Sequence, residues 1–306
     1  MRIVSLIASA TEIVSALGLG DRVVGRSHEC DYPPAVRKLP ACTEPKFRVE
    51  VPSAEIDRQV KEILQQALSV YRVDTERLRA LRPTHVVTQT QCEVCAVSLK
   101  DVEHALETWL ESRPEIISLQ PFALADVWTD IARVAEALGV PERGGLLNRY
   151  LQSRMAAIEQ RARSLPRPTV ACIEWLEPLM ASGNWMPELV RVAGGRNLFG
   201  DAGHHAPWLE WSEVVAADPD ILLILPCGFN IARTRQELAF LTQRPGWHDL
   251  RAAQRQRVYL LDGNQYFNRP GPRLAESLEI LAEIFHPDHF HFGHHSSGWQ
   301  GLERAR

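Results

Sequence analysis

Apolar positions along this chain follow two alternating rhythms. Short, nearly continuous apolar runs at residues 3–7, 22–26, 85–88, 115–119, 169–175, 221–225 and 257–261 read as buried strands. Between them, apolar residues recur three and four apart. That spacing predicts helices over 9–17, 53–68, 74–81, 99–110, 187–193, 211–217, 233–241 and 270–285. Ile56, Val60, Ile63 and Leu64 should face inward from one helix, and Leu78 and Leu81 from the next. Strands alternating with helices predict an α/β protein with parallel sheets flanked by helices.

The longest helical pattern lies at 123–164. Val127, Ile131, Val134 and Leu138, then Leu147, Tyr150, Leu151, Met155 and Ile158, form two apolar stripes. The glycines from Gly139 to Gly145 predict a break between two consecutive helices. This helical stretch divides the chain. The expected organisation is an N-terminal α/β lobe (1–122), a helical spine (123–166), a C-terminal α/β lobe (167–288) and a His-rich tail (289–306) with no core-forming period.

Punctuation refines the elements. Ser9-Ala10-Thr11-Glu12 has the spacing of a capping box. Asp74 is placed to cap the helix that follows it, and Pro270 suits a first helical turn. The proline-rich stretch 27–52 reads as one long irregular loop, a type of segment often tied to function.

Composition removes several classes of function. The net charge is −4 over 306 residues, which gives no electrostatic footprint for nucleic acid. No apolar run is long enough for membrane insertion. Thr11 and Glu12 interrupt the N-terminal apolar stretch, so it reads as a first strand instead of a signal peptide, and the chain as written is expected in the cytoplasm. The six cysteines, in a long chain without an export signal, read as free thiols.

In parallel α/β sheets, ligands bind beyond the carboxyl ends of the strands. The residues there are therefore the candidates for ligand contact. They include His28, Glu29, Cys30 and Tyr32 after the second strand and Cys92, Glu93 and Cys95 in the loop after 85–88. The second half adds Trp175, Phe229, Gln265, Tyr266, Phe267 and Arg269, with Trp185 and Trp208 in nearby loops. Aromatic side chains offer stiff apolar area, which suits a bulky, flat ligand; some of them also simply cover the sheet. Cys92 and Cys95 form a lone C-x-x-C. It reads as a tightened turn, as part of a metal or ligand contact completed by Cys30, Cys227 or His28, or as a redox dithiol. The histidines His286, His289, His291, His294 and His295 read as a mobile tail able to pick up metal adventitiously. No nucleophile elbow, phosphate-cradling loop or catalytic triad stands out, so no catalytic residue is expected.

Several segments resemble the metal-receptor class of ABC-transporter substrate-binding proteins, which includes cobalamin and iron-siderophore binders. They are RIVSLIASATEIVSALGLGDRVVGRSHECDYPP, LRALRPTHVV, AGGRNLF, AADPDILLI and NRPGPRLAESLEILAEIFHP, and the resemblance spans about residues 2–287. It implies two lobes joined by a long rigid helix, with a corrinoid or related metal chelate held in the cleft between them, no required cofactor and no catalysis. It also implies an ABC-transporter permease as partner. Trp208 matches a tryptophan that contacts cobalamin in the family. Gln265-Tyr266-Phe267 matches an Asp-Trp-Phe run, so Gln265 departs from the pattern. Cys30-Asp31-Tyr32-Pro33 lies where the family has a cleft loop. Glu76, and Glu213 in the second half, match glutamates that dock on the permease. Family members carry an export signal or lipid-anchor cysteine that these residues lack. A start codon placed further upstream would restore one and move the protein to the periplasm or cell envelope. The cysteine loop is not a general family feature either. It keeps open a cytosolic metal- or cofactor-handling protein or enzyme that uses Cys92 and Cys95, and an exported iron-siderophore or haem receptor is a further alternative.

Overall fold

A computed structural model describes residues 1–66, 69–90, 101–103 and 113–302. Contacts divide the chain into two compact units. The first comprises Met1–Val51, Glu55–Pro121 and Ala125–Tyr150; the second comprises Pro52–Ala54, Phe122–Leu124 and Leu151–Arg306.

The first unit is built on β1 (Ile3–Ser5), β2 (Val23–Arg26), β3 (Thr43–Pro45), β4 (Tyr71–Val73), β5 (His85–Gln89) and β6 (Glu115–Leu119). Four strands form a parallel sheet in the order β2-β1-β5-β6, with Ile3 opposite His85 and Gln89 opposite Leu119. Ile3, Val4, Val86 and Val87 are fully buried. Such unbroken apolar strands are what a sheet covered on both faces needs. β3 and β4 pair antiparallel as a separate ribbon. This ribbon lies within and after the stretch expected to be irregular. Its strands have only three residues each and no alternation long enough to read.

The first helix, Ala8–Ala16, is capped differently from the expectation. Its N-cap is Ile7, with no side-chain cap bond. Ala8 is already helical, so Ser9 sits inside the first turn, where its hydroxyl finds no partner among the described residues. Thr11 Oγ1 turns instead to Ser5 Oγ at 2.8 Å and Cys30 Sγ at 2.9 Å. The cap at Asp74 forms as read: its carboxylate accepts from the Arg77 amide at 2.9 Å and starts helix Thr75–Leu81. Helix Ser53–Gln65 buries Ile56 and Val60, whereas Leu64 is exposed. The expected helix at 99–110 lies mostly outside the described residues.

The long helical pattern resolves into Leu124–Ala137 and Pro141–Ala162. The break is narrower than the glycines suggest. Gly139 takes φ +71° and ends the first helix, but Gly144 and Gly145 are helical. A Cβ on Gly144 would lie 2.5 Å from the Ala135 Cβ. Gly144 is therefore there for close helix approach and not for a turn. Val127, Ile131 and Val134 are fully buried, and each contributes about 1.5–3 kcal/mol by leaving water. Tyr150, expected on the apolar stripe, is 59% exposed.

The second unit holds β7 (Thr169–Trp175), β8 (Met180–Ala181), β9 (Arg196–Asn197), β10 (Ile221–Ile224), β11 (Val258–Leu261) and β12 (Trp299–Gly301). The order is β12-β11-β10-β7-β8, with β9 also on β7. β7, β10 and β11 are parallel, but β8 and β12 run antiparallel, so this sheet is mixed. The last long helix is Leu274–Phe285, which starts later than Pro270. A π-type turn at Gly263–Phe267, capped by Asp262, takes up the chain ahead of it.

Residues 287–302 are not a loose tail. Phe290 is buried, and the segment is tied to the last helix through two carboxylates. Glu283 accepts from the amides of Phe292 and Gly293 and from Trp299 Nε1 at 2.9 Å. Glu279 pairs with Arg154 and with His294 Nε2 at 2.9 Å. His286 is buried against the Ala193 carbonyl at 3.2 Å. Both glutamates are buried because they are partnered. No helix among the described residues is long and apolar enough to cross a membrane.

Candidate functional site

In the first unit, the strand-end face begins at Ser27, whose amide continues the ladder to the Ser5 carbonyl at 2.7 Å. The Arg26 guanidinium then gathers the loop by donating to the carbonyls of Ser27, His28 and Leu39 at 2.8, 3.2 and 3.2 Å. Thr43 from β3 reaches into this loop. Its Oγ1 accepts the His28 amide at 3.1 Å, lies 2.8 Å from His28 Nδ1 and donates to Ser27 Oγ at 3.2 Å. The Tyr71 ring of β4 lies 5.3 Å from the His28 ring. The missed ribbon therefore positions this histidine. Burial first, and the Arg26 charge second, lower the His28 pKa to about 4, so the imidazole is neutral at neutral pH.

The neighbours of His28 separate. Glu29 is half-buried, with its amide on Ser27 Oγ at 3.2 Å. Tyr32 is exposed and precedes a cis Pro33. Cys30, expected to line the ligand face, is 1% exposed and packs inward against Thr11. A small thiol so placed fills the core. Cys42 is buried as well, and its thiol is pushed up to about 11. Cys30, Cys42, Cys172 and Cys227 are all free thiols, as read from the sequence. Cys92, Glu93 and Cys95 lie outside the described residues. Among the described residues, no group of three or more His, Cys, Asp or Glu side chains is arranged to hold a metal ion. Cys30, Cys227 and His28 do not form one.

In the second unit, the strand-end loops carry aromatics. Trp175 ends β7 and lies 5.4 Å from Phe229, the residue after the β10 loop. Arg233 covers the other partner, its guanidinium carbon 4.6 Å from the Phe229 ring centre. The Phe229 carbonyl accepts from the Asn264 amide at 3.0 Å, and Trp185 Nε1 donates to the Phe267 carbonyl at 3.0 Å. Trp185, Phe229, Tyr266 and Phe267 are all buried, Phe267 completely. These four brace the loops more than they line a surface. Arg273 stacks over Tyr266 at 4.3 Å and donates to Gln265 Oε1 at 3.3 Å. Arg269 is buried and donates to Asn264 Oδ1 at 2.9 Å.

Trp208 differs from the others. It is 58% exposed, yet its backbone is held firmly. It bridges Met180, which pairs with Trp175 at the end of β7. On either side, Ala181 donates to the Pro207 carbonyl at 3.0 Å and Leu209 to the Leu179 carbonyl at 3.0 Å. Asn184 and His204 are joined at 2.6 Å, and a Cβ on Gly183 would lie 2.5 Å from the Ala206 amide. An indole exposed on so rigid a loop is prepared to meet a flat apolar face.

Two surface hollows of about 540 and 450 Å³ lie elsewhere, lined by residues such as Leu17, Arg143, Leu146 and Tyr150. The first lies along the start of helix Pro141–Ala162, the second between that helix and the end of helix Ala8–Ala16, and neither shares a residue with the strand-end loops. Glu76 is exposed on helix Thr75–Leu81. Glu213 is also exposed, but its carboxylate accepts the Glu210 amide at 2.8 Å and completes a capping box.

Sequence reasoning missed Thr43, Tyr71 and Arg233. Thr43 and Tyr71 lie in strands of three residues, too short to show a period, and Arg233 was read only as the start of a helix. Asp262 carried a readable signal, since an Asp just after an apolar strand is a cap candidate.

A family model described as "Periplasmic binding protein" matches residues 3–265. An ABC transporter substrate-binding lipoprotein, YvrC, of Bacillus subtilis (strain 168) is 25% identical over 299 residues, covering 94% of this chain and 81% of its own. A vitamin B12-binding protein of Photorhabdus laumondii is 25% identical over 286 residues, covering 92% and 87%. Among solved structures, the periplasmic heme-binding protein RhuT of Roseiflexus sp. RS-1, in apo form, is similar with a TM-score of 0.70 and 26% identity, over 94% of this chain and 98% of that one.

Proposed function

This chain belongs to the periplasmic binding protein family, and from that premise we propose that it is a non-catalytic receptor for a flat, metal-centred chelate, cobalamin or a related corrinoid first. The observation that carries this reading is Trp208, an exposed indole on a loop fixed by backbone bonds on both sides. Trp175, partly exposed, pairs with Met180, the residue that Trp208 bridges. Exposing an indole on a rigid support costs solvation and returns affinity only when a ligand covers it. Relatives named for vitamin B12 support the ligand class, though fold alone would not.

A haem or iron-siderophore receptor is the second reading. The relative that favours it is the heme-binding RhuT. In either case the partner is an ABC-transporter permease, with exposed Glu76 on its docking surface. The site of action is the cell envelope, as for the relatives named as periplasmic or lipoprotein binders, in place of the cytoplasm. The cytosolic reading built on Cys92 and Cys95 gains no support from the described residues.

Titration of the purified full chain with cobalamin and with haemin, followed by corrin or Soret absorbance and by calorimetry, tests the proposal. Binding of cobalamin with a Kd near micromolar or tighter is expected, equivalent to about −8 kcal/mol. Haemin binding alone would move the assignment to the second reading, and no heat or spectral change with either would overturn both.

A further inference from the structure

Leu146 and Tyr150 are the two most exposed large apolar side chains among the described residues, at 60% and 59%. They stand one turn apart on helix Pro141–Ala162, within the first unit, and off the buried line that Leu151 and Met155 carry. Leu146 borders both of the hollows described above, and Gly145 lines the first. Gly144 is accounted for by the close approach of Ala135. Gly145 is not. Apart from the helix's own backbone, a Cβ there would meet only the Arg149 guanidinium, at 3.4 Å. A glycine inside a helix weakens it, and its use is to let another backbone come close.

Charge marks the two ends of this face. Glu142 and Arg149 are seven residues apart, nearly two whole turns, so they lie on one line of the helix surface about 10 Å apart. Both are exposed, and neither is in an ion pair among the described residues. Opposite charges at equal distances on either side of an apolar centre make a self-complementary surface.

We propose that this face of helix Pro141–Ala162 is a two-fold interface with a second copy of the chain. With the axis beside Gly145 and Leu146, antiparallel copies set Glu142 of each against Arg149 of the other, so one ion pair is made twice. Leu146 meets its own counterpart on one flank, where Tyr150 extends the apolar surface. On the other flank Gly145 meets Gly145, and the two backbones can approach. The charges fix register and orientation, and the apolar groups supply the area. Two helical turns make a small contact, so the dimer is weak, with a Kd on the order of 10–100 µM. No residue of the strand-end loops takes part. The dimer therefore goes beyond the receptor reading and forms whichever chelate is bound.

Sedimentation velocity of the full-length chain, without added ligand and over about 1 to 300 µM, tests this. The weight-average mass should rise from one chain toward two. Leu146→Glu, at an exposed position, should keep the wild-type melting temperature and stay monomeric throughout. Glu142→Arg and Arg149→Glu should each weaken association about tenfold, because each sets like charges together in its own dimer. An equimolar mixture of these two variants should associate as the wild type does, since the mixed pair restores both ion pairs. Added salt should weaken the wild-type dimer and the mixed pair alike. A wild-type chain that stays monomeric up to about 300 µM would overturn the proposal and leave the face to a different partner. So would a dimer that Leu146→Glu leaves intact, or charge variants whose mixture associates no better than either alone.

Discussion

The strand-end loops of the two units solve one problem in opposite ways. In the first unit the loop after β2 is held by small polar groups. Ser27, Thr43 and the Arg26 guanidinium satisfy the backbone around a half-buried imidazole. In the second unit the loops are held by aromatic packing and backbone pairing, and what is left open is an indole, Trp208. The first arrangement favours a directional bond, and the second favours apolar area without directional demand.

The contrast can be broken most sharply at Trp208. Trp208→Ala removes a side chain that is more than half exposed. Stability should change by no more than about 0.5 kcal/mol, while chelate affinity falls about 30-fold, the size of an interface hot spot of about 2 kcal/mol. Calorimetry beside thermal melting checks this, and equal losses in both would show Trp208 to be structural. Gly183→Val tests the support instead. Its Cβ would meet the Ala206 amide at 2.5 Å, so the loop must move. We expect about 2 kcal/mol lost in urea unfolding and about tenfold weaker binding.

On the polar side, Thr43→Val takes away the hydroxyl that accepts the His28 amide and bonds its ring nitrogen. A loss of about 1–2 kcal/mol in urea unfolding is expected from the half-buried groups left unpaired. The smallest effect is one of pH. Asp130 accepts the Gln120 amide at the end of β6, and burial raises its pKa from 3.8 to about 6. The folded carboxyl thus keeps its proton to higher pH than the unfolded one. Its favourable contribution is complete below about pH 3.8 and lost as the pH rises through 6. Asp130→Asn should flatten the stability profile in that window and leave chelate affinity unchanged; an unchanged profile would refute the assignment.

Much of this was legible in the chain. Continuous apolar runs gave the strands at β1, β5, β6 and β7 because a sheet buried on both faces leaves no polar alternation to confuse the pattern. The helical stripe at Val127, Ile131 and Val134 was equally plain. The β3–β4 ribbon was not, since three-residue strands have no period, and it is the ribbon that supplies Thr43 and Tyr71. Cys30 was misjudged because position after a strand says nothing about which way a side chain turns. Trp208 and Trp185 looked alike in sequence, yet one is a surface and the other a brace. Gly144 and Gly145 read as a break, whereas the spacing to Ala135 makes Gly144 a packing residue. Residues 289–302 looked patternless because they are held by the buried carboxylates of another element and not by an apolar repeat of their own.

The antiparallel pairing of β12 with β11 has a further consequence, for association. Without it, β11 would show solvent a row of unsatisfied amides and carbonyls, a template for another chain. The short final strand, pinned by Trp299 on Glu283, covers that row within the molecule. A chain ending before His294 should fold its central strands and still self-associate, and light scattering of such a truncation beside the full chain would measure how much of this protein's solubility its last residues provide.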